Sequence, residues 1–382
     1  MLPVQGRPTF LEVDLDRLKQ NLRNTRAHVR PARVMVVLKA NAYGHGVEGV
    51  APFLAPEADY IGVAIVEEGV YLRRLGIRTP ILVMGGTLPE QLPLFIPHDL
   101  TLSASSAELL DAAQAIAVSA GAKLKVHLKI DTGMERMGVH EYEAEAFIER
   151  SLACQNLEIE GIFSHLANAD AADLTHARVQ LGRFMQVLAL YPQRGIPAPK
   201  LRHIANSGAI LQLPEGHLDM VRAGLMLYGV YPGTEVQRTV EVEQALTWHS
   251  RVVSSKITRP GRPVGYGSTW QPDHPTRILT IPCGYADGYF RRMSNQSQVL
   301  INGTRYPQVG RICMDQFMVA AGEHEMALGQ DVVLLGQADS GERIFAEDLA
   351  RWAGTSEYEV MTNISARVPR VFKSVDASRA DN

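Results

Sequence analysis

The chain has 382 residues, and this length favours two domains over a single hydrophobic core. Hydrophobic residues make up 46% of the chain and charged residues 21%, with 38 Lys and Arg against 41 Asp and Glu, so the net charge is −3. This balance gives no electrostatic reason to expect nucleic acid or an anionic membrane as a partner.

Cysteine usage and apolar runs exclude further classes of protein. The three cysteines are odd in number and far apart, which implies no disulfide framework and fits a reducing cytoplasm. The twelve histidines never occur at His-Glu-x-x-His spacing, and no Cys-x-x-Cys pair is present, so we expect no metal site. The segment MLPVQGRPTFLEVDLDRLKQ lacks the basic and apolar regions of a signal peptide, and no run of about 18 apolar residues suggests a membrane span.

Short β-type runs alternate with helical patterns along the first part of the chain. Apolar residues recur every three or four positions in the stretches 65–76, 107–121 and 175–191. The predicted strands are 34–39, 60–64, 81–86, 100–105, 123–131, 157–166, 200–206 and 220–225. This alternation predicts an α/β fold with a parallel sheet, and eight units predict closure into a (β/α)8 barrel over residues 9–240. An open doubly wound sheet is the alternative, but no Gly-x-Gly-x-x-Gly follows the first strand.

The remaining sequence, residues 241–375, is typical of a mostly β C-terminal domain. The segment QVLINGTRYPQV places two apolar runs around Asn302 and Gly303, which predicts a type I′ hairpin. One helix is expected over 344–353.

Reactive side chains collect at the carboxyl ends of the predicted barrel strands, where barrel enzymes have their active sites. A lysine on a buried strand must be paired or lose its charge. Lys39, in VMVVLKANAYGHG, is therefore either at the solvated rim of the sheet or the amine of a covalent site. The other residues at these ends are Lys129, Asp131, Arg136, His165, Asn206, Ser207, Arg222 and Gly224.

The last two strand ends predict a phosphate site. Asn206 and Ser207 open a short helix whose free N–H groups favour an anion, and Gly224 permits close backbone approach. Tyr43 could add a hydroxyl donor. The alternative is that Asn206 and Ser207 only cap a helix. A phosphate site beside a barrel-end lysine predicts pyridoxal 5′-phosphate (PLP), whose aldehyde reacts with lysine.

Eight motifs extend this prediction to a known family. The sequence resembles bacterial alanine racemases from about residue 9 to residue 370, through VLKANAYGHG, DTGMERMG, FSHLANAD, ANSGA, RAGLMLYG, GYGSTW, CGYADGY and GRICMDQF. The resemblance implies a PLP-containing barrel, a C-terminal β domain and a homodimer whose active sites are shared between subunits. It also implies two-base interconversion of L- and D-alanine, which supplies D-alanine for peptidoglycan.

Two residues match the catalytic bases of that family. Lys39 resembles the lysine that bonds the cofactor and also transfers a proton. Tyr266 resembles the opposite base, which is supplied across the dimer interface. A tyrosine has an ordinary pKa of about 10, so it needs cationic help to act as a base near neutral pH. Without the resemblance, Tyr266 would be interpreted as an ordinary strand aromatic.

Arg222 matches the residue that faces the pyridine nitrogen of the cofactor. Because arginine keeps its proton, it donates a hydrogen bond without protonating the ring, which makes the cofactor a weaker electron sink. This fits racemisation better than transamination. The alternative is a salt bridge at the barrel mouth. The resemblance also assigns cofactor contacts, most of them to the phosphate, to Tyr43, Asn206, Ser207, Gly224, Leu225 and Tyr358.

The resemblance assigns further residues to the substrate and to the support of the site. Arg136 matches an arginine near the cofactor hydroxyl and the substrate carboxylate, and Met314 matches a backbone N–H donor from the second subunit. His165 matches a histidine that helps to hold Arg222. The remaining matches are Tyr285 at the entrance, and Cys313 and Asp315 beside Met314, with Asp315 supporting the local hydrogen bonds.

Two positions carry open questions about charge. In some family members the lysine matching Lys129 is carbamylated and orients the arginine matching Arg136; the alternative is a Lys129–Asp131 ion pair. Glu135 departs from the small or amide residue that the family often has there, which leaves the charge pattern around Arg136 open.

Three other functions compete with an alanine racemase. One is a racemase that accepts a broader range of amino acids, such as serine. Another is a non-catalytic PLP carrier built on the same barrel, but such proteins stop after the barrel. A decarboxylase of related fold would use an acidic residue at the pyridine nitrogen, and Arg222 argues against one.

Overall fold

The computed structural model describes residues 6–374, and the predicted end of the second domain, residue 375, falls just outside that range. Two sheets organise these residues. The first sheet is parallel, and its strands are β2 (Arg33–Val37), β3 (Tyr60–Val63), β4 (Ile81–Val83), β5 (Leu100–Ala104), β6 (Leu124–Asp131), β8 (Leu157–Phe163), β9 (Leu201–His203) and β10 (Met220–Ala223), with the short β7 (Val139–His140) beside β6. Across the sheet, they follow the order β10-β2-β3-β4-β5-β6-β8-β9.

This sheet closes almost completely into a barrel. Hydrogen bonds bridge the remaining gap between β9 and β10, because the Arg222 N–H donates to the Ala205 carbonyl and the Asp219 N–H to the Arg202 carbonyl. All eight predicted strands and the predicted barrel are confirmed. The barrel interior holds its own buried apolar cluster of Met35, Tyr60, Leu82, Phe163, Leu201 and Met220.

Helices cover the outside of the barrel and bury the apolar faces that the periodicity predicted. Asp14 and Ser106 cap two of them with side-chain oxygens, as N-cap residues do. The helical elements of this part are α1 (Leu15–Val29), α2 (Lys39–Tyr43), α3 (Val47–Leu54), α4 (Val66–Arg74), α5 (Ala107–Ser119), α6 (Ala144–Ala153), α7 (Thr175–Gln193) and α8 (Ser207–Gln212). None of the helices in residues 6–374 has the length and apolar composition that crossing a membrane requires.

A second, mainly antiparallel sheet forms the β-rich domain. The hairpin at Asn302 and Gly303 is confirmed, since both residues have positive φ, 51° and 75°, as a type I′ turn needs. The strands are β1 (Phe10–Asp14), β11 (Leu246–Arg251), β12 (Ser254–Thr258), β13 (Thr276–Ile281), β14 (Gln298–Ile301), β15 (Thr304–Val309), β16 (Phe317–Gly322), β17 (Asp331–Gln337), β18 (Arg343–Ile344) and β19 (Arg370–Lys373). The predicted helix appears as α9 (Ala346–Ala353), and α10 (Glu357–Thr362) follows it.

One strand lies in a different sheet from its neighbours in sequence. β1 pairs with β11 and with β19, although the predicted barrel range of 9–240 contains it. The alternating pattern of Phe10–Asp14 suits any half-buried strand, so the pattern alone does not select the sheet.

Candidate active site

A cavity of about 560 Å³ opens at the carboxyl ends of the barrel strands. It brings together residues that lie far apart in sequence, and Tyr358 reaches it from α10 of the β-rich domain. The sequence-predicted residues that line it are Lys39, Tyr43, Lys129, Asp131, Arg136, His165, Asn206, Ser207, Arg222, Gly224, Leu225 and Tyr358.

Lys39 reaches the cavity from an unusual turn. The predicted strand 34–39 ends earlier, at Val37, and the residues after Lys39 run left-handed, with φ between 50° and 55° from Ala40 to Tyr43. This conformation costs roughly 1–2 kcal/mol per residue. The Glu68 carboxylate stabilises it by accepting the Ala40 N–H at 2.6 Å.

The environment of Lys39 favours a neutral amine. Burial lowers the pKa of Lys39, the cationic Arg136 and Arg222 lower it further, and Glu68 opposes them. A neutral amine is a nucleophile and a proton acceptor, whereas an ammonium group is neither. The geometry therefore suits the covalent site better than the solvated rim of a sheet.

Hydroxyl and N–H groups converge at the other end of the cavity. The Ser207 Oγ accepts the N–H groups of Gly224 at 3.2 Å and Met226 at 3.4 Å. A Cβ on Gly224 would lie 2.8 Å from the Tyr43 hydroxyl and 3.5 Å from the Ser207 Oγ, so the space exists only because this residue has no side chain. Such a cluster of donors at a helix start fits a phosphate group.

Asn206, Tyr43 and Tyr358 complete this end. The Asn206 Oδ1 accepts the Ala209 N–H at 3.1 Å, so Asn206 caps α8 as the alternative interpretation expected. Burial raises the pKa of Tyr43 and of Tyr358, so both hydroxyls keep their protons and remain donors at neutral pH. The two rings lie 6.2 Å apart between centroids.

Arg222 is buried, and its guanidinium faces four hydrogen-bond acceptors, one at Nη1 and three that share the two hydrogens of Nη2. Its acceptors are the Nδ1 atoms of His203 and His165, both at 3.0 Å, and the carbonyls of Ser164 at 2.9 Å and Ile204 at 3.0 Å. Among residues 6–374 no carboxylate lies within 4.0 Å of it, so the alternative of a salt bridge at the barrel mouth is wrong. Burial lowers the pKa of Arg222 to about 9, helped by Arg136, which leaves it protonated at neutral pH.

Both histidines beside Arg222 are neutral. Burial moves the pKa of His165 and of His203 well below the ordinary value, and the positive charge of Arg222 adds to this effect. Each histidine can therefore offer an unprotonated Nδ1 to the guanidinium.

Lys129 lies in the same cationic region, and none of the carboxylates in residues 6–374 pairs with it. Its Nζ sits 4.5 Å from the centre of the Phe163 ring. Burial lowers the pKa of Lys129 well below its ordinary value, and Arg222 and Arg136 reinforce the shift. The Asp131 carboxylate instead accepts the N–H groups of Gly133, Met134 and Arg136, at 2.8, 2.9 and 3.1 Å.

The alternative of a Lys129–Asp131 ion pair is therefore wrong for the described part of the chain, because no carboxylate there lies within 4.0 Å of the Lys129 Nζ. Glu135 likewise has another partner. Its Oε2 lies 3.0 Å from the His140 Nε2 at the surface.

Five predicted residues lie outside the lining of the cavity. Tyr266 is 72% exposed on the β-rich domain, in a turn between Gly265 and Gly267, which both have positive φ. Met314 is 53% exposed, and its carbonyl accepts the Ala286 N–H at 3.0 Å. Close to it in the chain, the Cys313 carbonyl accepts the Tyr285 N–H at 3.0 Å, and Asp315 pairs with Arg367 at 2.8 Å.

Several residues that line the cavity are absent from the site predicted from the sequence. Phe163 ends β8, three residues before the predicted end of that strand. It was therefore not among the residues predicted at the strand end. His203 lies outside the lining, where it contacts Arg222, and it was not among the predicted site residues. A histidine in the middle of a predicted barrel strand was the signal that could have revealed it. The other unnoticed residues lining the cavity include Met84, Met134, Met137, Ser164 and Asp170.

Comparisons with known proteins agree with this geometry. A family model described as "Alanine racemase, N-terminal domain" matches residues 13–232, and one described as "Alanine racemase, C-terminal domain" matches residues 245–372. The chain belongs to the alanine racemase family. It is 45% identical over 369 residues to an alanine racemase of Carboxydothermus hydrogenoformans, covering 96% of this chain and 100% of that one.

Solved structures extend the likeness to the fold. The alanine racemase from Streptomyces lavendulae superposes with a TM-score of 0.92 at 35% identity, covering 97% of this chain and 98% of that chain. A histidine racemase from Leuconostoc mesenteroides subsp. sake superposes with a TM-score of 0.87 at 29% identity, covering 97% and 99%. Alanine racemases are PLP-dependent isomerases.

Proposed function

We propose that this chain is a PLP-dependent alanine racemase that interconverts L- and D-alanine and supplies D-alanine for peptidoglycan in the cytoplasm. One observation carries the proposal. A single cavity contains an amine of lowered pKa, a cluster of hydrogen-bond donors suited to a phosphate, and a buried arginine that has no carboxylate within 4.0 Å among residues 6–374. When bound, PLP supplies an aldehyde that reacts with amines and a conjugated ring that delocalises the electron pair left at a deprotonated Cα.

The donor cluster would hold the cofactor phosphate. Ser207, the N–H groups of Gly224 and Leu225, and the hydroxyls of Tyr43 and Tyr358 are the donors, with Asn206 fixing the start of α8. A phosphate held there would leave the reactive end of the cofactor for Lys39, whose amine, favoured in its neutral form by the lowered pKa, would bond the aldehyde and later hold the substrate proton at Nζ.

Arg222 would face the ring nitrogen as a hydrogen-bond donor. Its four acceptors fix the guanidinium. Because His165 and His203 are neutral, neither places a second positive charge beside it. By donating a hydrogen bond without giving up its proton, Arg222 would leave the ring a weak electron sink, which would favour prompt return of the proton to Cα over transamination.

The second base would come from another subunit. Tyr266 and Met314 are exposed on the β-rich domain, outside the lining of the cavity of their own chain. We propose a homodimer in which the Tyr266 hydroxyl handles the proton on the face opposite Lys39. The Met314 N–H then binds the substrate carboxylate together with Arg136, while Tyr285 lies at the entrance.

We also propose that Lys129 is carbamylated. Its lowered pKa favours the neutral amine that attacks carbon dioxide: an N–C bond forms, one C=O electron pair moves to oxygen, and the nitrogen releases its proton to water. The anion that results would replace repulsion between Lys129 and Arg136 by a bidentate ion pair, which holds Arg136 for the substrate.

The substrate assignment has one competitor, a racemase of different or broader range, because a relative of the same fold is named a histidine racemase. The deciding experiment is chiral chromatography of the purified protein with PLP and single enantiomers of alanine, serine, lysine and histidine. We expect L- and D-alanine to reach the same mixture fastest. Faster conversion of another amino acid would replace alanine, and no conversion of any would overturn the racemase assignment.

A further inference from the structure

A column of polar side chains continues from Arg222 into the barrel interior, away from the cavity. The His203 Nδ1 accepts a hydrogen bond from the Arg222 Nη1 at 3.0 Å, and the His203 Nε2 lies 2.9 Å from the His127 Nδ1. The His127 Nε2 lies 3.5 Å from the Glu160 Oε2, which also accepts the Tyr60 hydroxyl at 2.9 Å. We call Arg222, His203, His127 and Glu160 the polar column.

The backbone of β8 is shaped for this column. Ile159 pairs with Val126 and Gly161 with His127, so Glu160 is an extra residue in a bulge, and bulges redirect side chains. Gly161 makes room for the ring, because a Cβ there would lie 2.6 Å from the His127 Nδ1. Two local irregularities thus place one carboxylate beside one buried histidine.

The proton positions in the column follow from its two ends. Arg222 can only donate, so the His203 Nδ1 accepts and the His203 proton sits on Nε2, from which it is donated to the His127 Nδ1. His127 therefore carries its own proton on Nε2. From the other end, the Glu160 carboxylate can only accept, which also requires the proton on the His127 Nε2.

Both histidines hold one proton each. Burial lowers the pKa of His127 and moves the pKa of His203 well below its ordinary value. Each ring is therefore neutral and carries a single proton, either on Nδ1 or on Nε2. The contact with His127 lowers the pKa of Glu160, which keeps the carboxylate charged. The His127 Nε2 is buried and makes no hydrogen bond of normal geometry, so this carboxylate at 3.5 Å is the acceptor it faces.

We propose that Glu160 is a positioning residue that fixes the tautomers of His127 and His203 and thereby keeps the His203 Nδ1 as an acceptor for Arg222. Without the carboxylate, the His127 N–H would be left unsatisfied in the barrel, so both histidines switch tautomer in part of the molecules and present an N–H to the guanidinium. This switch removes one of the four acceptors of Arg222. The effect on catalysis rests on the proposed function, whereas the tautomers do not.

The experiment is ¹⁵N NMR of the histidine rings in the PLP-loaded, full-length protein, assigned with His127→Asn and His203→Asn. We expect the wild type to show both rings protonated on Nε2 alone. Glu160→Leu should give mixed tautomers at His127 and His203. Glu160→Gln, whose amide oxygen can accept the same proton, should restore the wild-type pattern, and Tyr60→Phe, which leaves the carboxylate in place, should not alter it.

Kinetics supply the second reading. Glu160→Leu should lower kcat about tenfold with a smaller change in KM, and Glu160→Gln should recover most of it. An Nδ1-protonated histidine in the wild type, which needs no variant to fold, would overturn the inference, as would unchanged tautomers in Glu160→Leu. A wild type without racemase activity but with the expected tautomers would instead count against the proposed function.

Discussion

The barrel cavity and the exposed face of the β-rich domain differ in how complete they are within one chain. The cavity holds Lys39, Arg136 and Arg222, and Arg222 is buried among four hydrogen-bond acceptors. Tyr266 and Met314, by contrast, are 72% and 53% exposed and are not among the lining residues. The first region is organised within one chain, whereas the second presents its predicted site residues to solvent. In the proposed homodimer, a second subunit would cover them.

The largest expected effect belongs to the complete region. Replacing Lys39 by Ala removes both the amine that bonds the cofactor and one proton-transfer base, so racemisation should fall by roughly a thousandfold or more. Chiral chromatography measures the loss. The exposed Lys256→Ala serves as the control and should keep full activity.

Borohydride treatment checks the same residue chemically. In the wild type, peptide mapping should find the pyridoxyl group on Lys39. Its appearance on a different lysine would remove Lys39 from this role.

The incomplete region should give an asymmetric effect. Tyr266→Phe removes the base for one face only, so α-hydrogen exchange with solvent deuterium should fall by about 10²–10⁴-fold for one enantiomer and much less for the other. Mass spectrometry of alanine recovered from single-enantiomer incubations measures both rates. Equal losses for the two enantiomers would contradict opposite-face bases.

A smaller effect tests Arg222 against the rest of the cavity. A carboxylate in its place stabilises a protonated ring nitrogen, so Arg222→Glu should racemise about tenfold or more slowly, and pyruvate from transamination should increase. The absorbance of the PLP-loaded variant with alanine should change as well. Arg222→Lys keeps a cation and should not increase pyruvate. A folded, PLP-loaded Arg222→Glu with wild-type rate and spectrum would exclude this role.

The smallest effect concerns Lys129. Loss of the carbamate should free Arg136, so Lys129→Ala should raise the KM for alanine by about fivefold with little loss of kcat. Acetate, a substitute anion for Arg136, should partly reverse the change. A crystal structure with an ordered, unmodified Lys129 and no chloride or acetate beside Arg136 would decide against carbamylation.

The sequence predicted the barrel and most of the cavity because both depend on local patterns. Eight apolar runs form the eight strands, and the residues at their ends meet at one edge. The left-handed turn after Lys39 could not be predicted, since Ala40 and Ala42, on either side of Asn41, have no intrinsic preference for positive φ. Its support comes from Glu68, 28 residues away from Ala40.

Other features of the structure were hidden for the same reason. The bulge at Glu160 depends on register with β6, and β1 finds its partner β11 more than 230 residues later in the chain. The hydrogen bond between Arg222 and His203 joins β10 to β9. Each of these strands places only one polar side chain in the barrel interior, so neither sequence on its own indicates the pairing. Pairings of this kind are set by tertiary packing, which periodicity does not report.

The central claim, that the two regions form one site only between subunits, is tested most directly by mixing inactive Lys39→Ala and Tyr266→Phe subunits. Each mixed dimer has one site with both bases intact. Random exchange makes half of the dimers mixed, so about a quarter of the wild-type activity should return. Native mass spectrometry confirms the exchange. No recovery of activity, with mixed dimers present, would contradict a site shared between subunits.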